Sequence, residues 1–556
     1  MRAAIELHDH DINALVVGKC KKRDAHTIMA KGGINAALGN MDPKDSWRLH
    51  AADTIRDGGY INDPIAVKIL CKNAPSAVQE LAKWGARFHR EKNGKITQRF
   101  FGAASYRRAC FVGDHTGREI LNALVNQTLK RKIKFKSEVY IFSLLKSQAK
   151  INGAMGLDIK TGKIIIFHTK IVILATGGHS RMFKRSSSRF WENNGDGINL
   201  AYKAGAAFMD MEMFQFHPTG MLYPPEAEGL LVTEAVRGEG GILLNIKRQR
   251  FMKKYDPKRL ELSARDIVAR AVYSEIKSGK GTKRGGVWLD ITHKPKKYIL
   301  KRLPKMYKQF KKYANIDISR QKMEVAPTAH YSMGGVFINH QTGQTKIPNL
   351  CAIGEVTAGV HGGNRLGGNS LAEITVFGKL TGKNVVKQVK NTNLHPINEK
   401  LVHREIKNLN TMLKSKGKNP IEIKKQIQAT MWQYAGVVRN KAGLKKALKE
   451  LKRIKKVTLN TGTSLKMNEK LIAALDIQNM FPTCEMIIKS ALLRKESRAA
   501  HYRSDYRKTS DSWKKNIICI PHKKTFRFIT KKISKIPKEI EILIKRPIQS
   551  VQHLLE

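Results

Sequence analysis

The chain has 556 residues, 41% of them hydrophobic, and a formal net charge of +58. That length exceeds one simple domain, and the apolar content excludes a disordered chain. No secretion leader and no apolar run long enough to cross a bilayer stands out, and the six cysteines, at 20, 71, 110, 351, 484 and 519, form no CxxC pair, so no zinc knuckle or local iron–sulfur loop is expected.

Scattered cysteines suit a reducing compartment. The basic runs, such as "LKRKIKFK" at 129–136 and "KKALKELKRIKK" at 445–456, are dominated by lysine. They lack the interleaved aromatics of a base-stacking platform, so they read as solvated surface and not as a nucleic-acid site. Such a field also steers an acidic substrate or an acidic partner.

The chain opens with a helical pattern, "RAAIEL", and a short buried strand, "NALVVG". "HTIMAKGGI" at 26–34 then places a histidine six residues before a glycine pair. A helix is expected over "DPIAVKILCKNAPSAVQELAKWG", and strands over "SEVYIFSLL" and "KIIIFH". "KIVILATGGHS" reads as a buried strand with a turn at its carboxyl end, where open α/β sheets bind ligands. "ATGG" at 175–178 and "NNGDGINLAYKAGA" at 193–206 are glycine turns opening helices, suited to an anion.

Between 208 and 323 the texture becomes that of an inserted domain. "MEMFQFHPTGM" carries Gln215, His217 and Thr219; "LLVTEAVRGEGG" carries Thr233, Glu234 and Arg237; "SARDIVAR" carries Arg265 and Asp266. The α/β texture returns at "VAPTAHYSMGGVFIN", with His330, and at "NLCAIGE". Residues 351–378, "CAIGEVTAGVHGGNRLGGNSLAEITVFG", hold seven glycines in one strand–loop–helix unit. Glu355 there suits a ribityl or ribose hydroxyl, and Arg365 suits a carboxylate. After Gly378 the chain reads as basic helices, with Leu444, Leu448 and Leu451 on one face. Two histidines, three arginines and a hydroxyl suit a small dianion held by both carboxylates. There is no G-x-S-x-G elbow and no H-E-x-x-H spacing, so neither a hydrolase triad nor a metal site is expected.

In order, these motifs resemble those of the succinate dehydrogenase/fumarate reductase flavoprotein family, over nearly the whole chain. The tail "ALLRKESRAAHYRSDY" resembles that family's signature too. The resemblance implies an α/β fold: a Rossmann-like FAD-binding domain with an inserted α+β capping domain, then a helical domain and a C-terminal tail. The expected parts are 1–207 and 324–380 for FAD binding, 208–323 for the cap, 381–500 for the helical domain and 501–556 for the C-terminal region. It implies FAD as cofactor, bound covalently through His26. Flavin contacts carried over by position are Thr27, Gly32, Gly33, Thr176, Gly177, Asp196, Glu355, Ser370 and Leu371. Arg265 matches the proton donor and acceptor, and Glu234 and Arg237 its relay. His217, Thr233, His330 and Arg365 match the clamp on the substrate carboxylates, with Phe101 and Gly102 packing on the substrate.

The activity implied is interconversion of succinate and fumarate, with electrons passed to an iron–sulfur subunit and through it to a membrane anchor or quinone site. The chain itself is expected on the inner face of a cell membrane without spanning it. An L-aspartate oxidase-like enzyme and a soluble thiol-linked fumarate reductase are the alternatives. L-aspartate oxidase typically lacks the histidine at position 26, has Ala-Ser where this chain has Gly367-Gly368, and has alanine where Gly220 stands. A non-catalytic basic scaffold is a further reading, motivated by the charge. The family's opening strand and G-x-G-x-x-G turn are missing, and the sequence is expected to begin inside the helix that follows that turn.

Overall fold

The structure, a computed structural model, describes residues 1–523 and 525–545. Position 524 and residues 546–556, the end of the expected C-terminal region, lie outside the described residues.

The helix Arg2–His8 lies on the long helix Asn369–Lys390, so the first and the returning parts of the FAD-binding fold meet at once. The strand Leu15–Val17 pairs in parallel with Lys134–Lys136, and Val172–Leu174 pairs in parallel with Leu350–Ala352. Strands of so few residues carry the switch from sheet to glycine turn, so "ATGG" begins where the pairing stops. The two runs expected as strands flank a third, Lys150–Asp158, and form an antiparallel sheet of Val139–Ser147, Lys150–Asp158 and Ile164–His168. Pro64 starts the helix Pro64–Lys83 behind Asp63, whose carboxylate accepts from the Ile65 and Ala66 amides.

The cap has its own apolar core, drawn entirely from residues between Met221 and Val325. Its sheet is antiparallel, in the order Phe214–Met221, Met323–Ser332, Val287–Asp290, Ile242–Leu244. The first two strands run back out of the cap into the FAD-binding part. They therefore carry cap geometry directly to the seam.

The basic helices Glu399–Leu413, Pro420–Ala435, Lys441–Lys455 and Glu469–Leu493 each follow an asparagine whose side chain accepts a backbone N–H in the first turn. Leu444 and Leu451 are buried while the lysines between them face water. The helix Glu469–Leu493 corrects the sequence reading that no run is long enough to span a bilayer. By length and composition it is, with a window of mean hydropathy 1.2, and 78% of that window is buried inside the protein. Asp476, Glu485 and Lys489 interrupt the apolar pattern in the sequence, and in the fold the helix is a core helix. The strands Lys515–His522 and Thr525–Lys532 then extend the sheet formed by Phe208–Met209 and Gly335–Val336.

Candidate active site at the seam between cap and FAD-binding fold

The cap strand Phe214–Met221 and its antiparallel neighbour Met323–Ser332 bring two histidines together. The register places Phe216 opposite Ala329, with a shift between Gln215 and Phe216, and the rings of His217 and His330 stand edge to face, 5.2 Å apart. Thr219 fixes His217: its Oγ1 lies 3.3 Å from Nδ1 while the hydroxyl donates to Val232 O at 2.8 Å. Ser187 Oγ holds His330 Nδ1 at 2.9 Å. Burial, and then the nearby guanidinium groups, keep both imidazoles far below the ordinary histidine range, so both are neutral. Thr233 is buried at the start of the short helix Ala235–Gly238.

Three arginines converge beside them. Arg265, the first residue of the helix Arg265–Glu275, donates from Nε to Glu234 Oε2 at 2.7 Å and from Nη1 to Gln215 Oε1 at 3.0 Å. Arg365 donates to the same Gln215 oxygen at 3.1 Å, so one amide carbonyl ties the two guanidiniums. Arg237 lies 3.9 Å from Glu234 Oε1 and donates to the carbonyl of Glu261. Burial acts to raise the Glu234 carboxyl, but Arg265 and Arg237 overcome it and hold it at about 2. Burial and the charge of Arg265 bring Arg365 down to about 10. Phe101 and Gly102 close the cluster: Gly102 N donates to Glu234 Oε1 at 2.7 Å. A Cβ at Gly102 would lie 2.7 Å from that oxygen, and one at Gly367 would lie 3.1 Å from Arg265 Nη2 and 3.2 Å from Glu234, so both positions need glycine.

Behind the arginines runs an amide relay. Gln215 Nε2 donates to Asn364 Oδ1 at 2.7 Å, and Asn364 Nδ2 donates to Asp57 at 3.1 Å and Asp266 at 3.2 Å. Burial and the neighbouring Asp266 carboxylate push Asp57 up to about 7. Asp266 is paired with Arg270 at 2.8 Å.

The residues carried over as flavin contacts line an adjoining surface. Gly32 and Gly33 precede the strand Ile34–Asn35, and the buried Arg99 donates to the carbonyl of Gly32. Asn35 donates to Gly367 O at 2.6 Å, which ties this loop to the arginine loop. Glu355 accepts from Ser332 N at 3.1 Å, and burial raises its carboxyl to about 6. Ser370 and Leu371 sit in the first turn of Asn369–Lys390. Gly177 has φ +75°, and Thr176 packs against Gly197 in the helix Asp196–Ala204. Asp196 opens that helix but is itself engaged, by Lys19 at 3.2 Å and Asn479 at 3.0 Å. His26 begins the 3-10 turn His26–Met29, with Thr27 next to it packed against the helix Thr116–Lys130. It is half-buried, with Glu192 Oε2 3.0 Å from Nδ1.

Several buried polar atoms here have no protein partner: both ring nitrogens of His179, Arg365 Nε, Asn35 Oδ1 and Asn194 Oδ1. Orphaned groups of this kind mark a surface that a polar ligand completes. An extended nucleotide fits that donor and acceptor set, and the residues present therefore suit FAD. Among the described residues no group of histidine, cysteine, aspartate or glutamate side chains is arranged to hold a metal.

Comparison with known proteins agrees. An FAD binding domain model matches residues 1–371, and a fumarate reductase flavoprotein C-terminal model matches 424–543. The catalogued flavoprotein chain of a CoM/CoB fumarate reductase from Methanothermobacter marburgensis is 42% identical over 93% of this chain and 94% of its own length. This chain belongs to the succinate dehydrogenase/fumarate reductase flavoprotein family. It is an FAD-dependent oxidoreductase. The succinate dehydrogenase flavoprotein subunit of Rickettsia bellii is 34% identical over 92% of this chain and 89% of its own. A solved quinol-fumarate reductase with menaquinol molecules superposes with TM-score 0.89 at 28% identity, covering 96% of each chain. Mycobacterium smegmatis Sdh1 in complex with UQ1 gives TM-score 0.86 at 36% identity, covering 97% of this chain and 93% of that one.

Sequence reasoning missed Asn364, Asp57, Arg99, Asn35 and Glu192 as parts of the site. Asn364 sits inside the "GGNRLGG" loop, and Glu192 directly precedes the "NNGDG" turn. The signal was proximity to a glycine turn.

Proposed function

We propose that this chain is the flavin-bearing catalytic subunit of an enzyme interconverting succinate and fumarate. The observation that carries it is the charge of the seam: Arg237, Arg265 and Arg365 surround a single paired carboxylate, Glu234, with two neutral histidines alongside. Two surplus positive charges match the two carboxylates of a small dianion. His217, Thr233, His330 and Arg365 would clamp them, and Phe101 and Gly102 would exclude water. A clamp at both ends fixes the C–H bonds between them.

Bound FAD supplies a two-electron acceptor for hydride. His26, Thr27, Gly32, Gly33, Thr176, Gly177, Glu355, Ser370 and Leu371 would hold it, with His26 its covalent anchor. Asp196 enters only at second hand, through Lys19. Arg265 would take the second hydrogen as a proton. Its guanidinium stays protonated in water, but Arg365 and Arg237 crowd it with like charge, which favours the neutral form. Glu234 touches both Arg265 and Arg237, so a proton leaves by Arg265, Glu234 and Arg237 in turn. The working parts are residues 1–207 and 324–380 for the flavin, 208–323 for the cap, 381–500 for the helical domain and 501–556 for the tail.

Electrons would leave to an iron–sulfur subunit and, through it, to the quinone site or anchor in a membrane, which places the chain peripherally at the inner face of a cell membrane. The relative named for CoM/CoB favours a second reading: fumarate reduction with electrons arriving from thiols. The test is an assay of the FAD-loaded protein in both directions, succinate against an oxidised dye and fumarate against a reduced viologen. Turnover of both supports the reading. Oxidation of L-aspartate with neither of them replaces it with the aspartate oxidase alternative.

A further inference from the structure

One charged cluster beside the flavin surface takes no part in the chemistry of the seam. Asp24, His26, Arg189 and Glu192 meet at its edge. Glu192 Oε2 lies 3.0 Å from His26 Nδ1, and its other oxygen takes Arg189 Nη2. Arg189 is held in turn by Asp24, with Nη1 2.7 Å from Oδ1 and Nη2 2.5 Å from the backbone oxygen. The far nitrogen, His26 Nε2, has only Ser188 Oγ at 3.4 Å. That hydroxyl is already engaged, at 2.7 Å from Ser180 Oγ and accepting from Asn193 Nδ2 at 2.8 Å.

We infer that Glu192 is the positioning residue for covalent attachment of the flavin at His26, orienting the ring and making Nε2 the nucleophile. This rests on the covalent reading of His26. A carboxylate at Nδ1 keeps the proton on that nitrogen and leaves a lone pair on Nε2. It also stabilises the positive charge the ring gains when Nε2 forms a bond. Burial acts to raise the Glu192 carboxyl, but its bonds from His26 and Arg189 bring it to about 2, so it is ionised at every pH at which the protein is folded. Arg189 and Asp24 fix the carboxylate from behind, so the ring has one orientation.

In the attachment step a C–H bond of the flavin ring methyl group breaks and its proton leaves to solvent. A C–N bond forms from His26 Nε2 to that carbon, and the Nδ1 proton is released past Glu192. Two electrons remain on the flavin and pass, with two protons, to fumarate, which becomes succinate. The proposed activity itself thus supplies the oxidant.

The test uses the full chain incubated with FAD and fumarate, comparing wild type with Glu192→Gln and Glu192→Ala. Two readouts are taken: in-gel flavin fluorescence after acid denaturation, with intact mass, and acid-extractable FAD. Glu192→Gln keeps an acceptor without the charge, and Glu192→Ala removes both. Attachment at least about tenfold slower in Glu192→Ala, less slowed in Glu192→Gln, with FAD still bound non-covalently, supports the assignment. Attachment at the wild-type rate in Glu192→Ala overturns it while leaving the covalent reading intact. A wild-type chain that never attaches FAD overturns both.

Discussion

Two regions of this molecule bury arginines, and they treat the charge in opposite ways. In the C-terminal signature, Arg494 meets Glu212 at 2.6 Å, Glu496 at 3.1 Å and Asp210 at 3.3 Å; Arg498 meets Glu496 at 2.7 Å and Arg503 meets Asp505 at 2.7 Å. Three cations face four carboxylates. The surplus is relieved at Asp210, which burial and Glu212 raise to about 7. At the seam, three cations face one paired carboxylate, and atoms of Arg237 and Arg365 remain without partners. A buried charge left unpaired is expensive. A compensated cluster is therefore architecture, whereas an uncompensated one is completed by something outside the chain.

The largest effect tests what the seam does. Arg265→Gln should lower kcat by roughly 10²–10⁴-fold in both directions, with bound FAD and dicarboxylate affinity retained. Steady-state kinetics with a flavin titration checks this, and near-normal turnover removes Arg265 from proton transfer. Next is the tail. Arg494→Gln strands three carboxylates and should cost about 3–5 kcal/mol, read as a fall in the thermal midpoint or loss of soluble protein. Arg365→Gln, with one hydrogen bond to Gln215 and the face of Tyr331 4.4 Å away, should cost far less. Equal destabilisation by the two breaks the comparison.

How much of this was legible beforehand follows the same division. Motifs were visible where chemistry demands particular residues at fixed spacing: His26, His217, His330, Arg265 and Arg365 all stood in such stretches. The long helices were visible from apolar period and asparagine caps. What stayed hidden was pairing between distant segments. Nothing local says that Gln215 bridges Arg265 to Arg365, that Asn364 reaches Asp57, or that Glu192 turns toward His26, because each contact joins parts of the chain 50 or more residues apart. Glu469–Leu493 was misjudged for a related reason: its charged residues make ion pairs that only the fold reveals, such as Asp476 with Lys424 at 2.7 Å.

Smaller effects sharpen the picture. His50, buried under the arginine loop with Nε2 2.8 Å from Asn369 Oδ1, is lowered by burial and Arg108 from 6.5 to about 3. The unfolded chain takes up this proton near pH 6.5 and the folded one only near 3, so stability is complete above that window and is lost as pH falls through it. The slope is about 1.4 kcal/mol per pH unit. Denaturant midpoints between pH 7 and 4 should show it, and His50→Gln should flatten it. Smallest is Ala499, a non-glycine residue at φ +49° in the tail signature, whose carbonyl accepts from Arg270 at 2.7 Å. Ala499→Gly should stabilise by up to about 1 kcal/mol, measured as a raised midpoint; a lower midpoint shows that packing of the methyl outweighs the strain.

The most direct measurement is calorimetric titration of the FAD-loaded protein with succinate and with propionate, for wild type and Arg365→Gln. A seam built for a dianion binds succinate in the wild type, binds propionate at least about a hundredfold more weakly, and loses succinate binding in Arg365→Gln. Propionate binding as tightly as succinate, or succinate binding unchanged in Arg365→Gln, contradicts it.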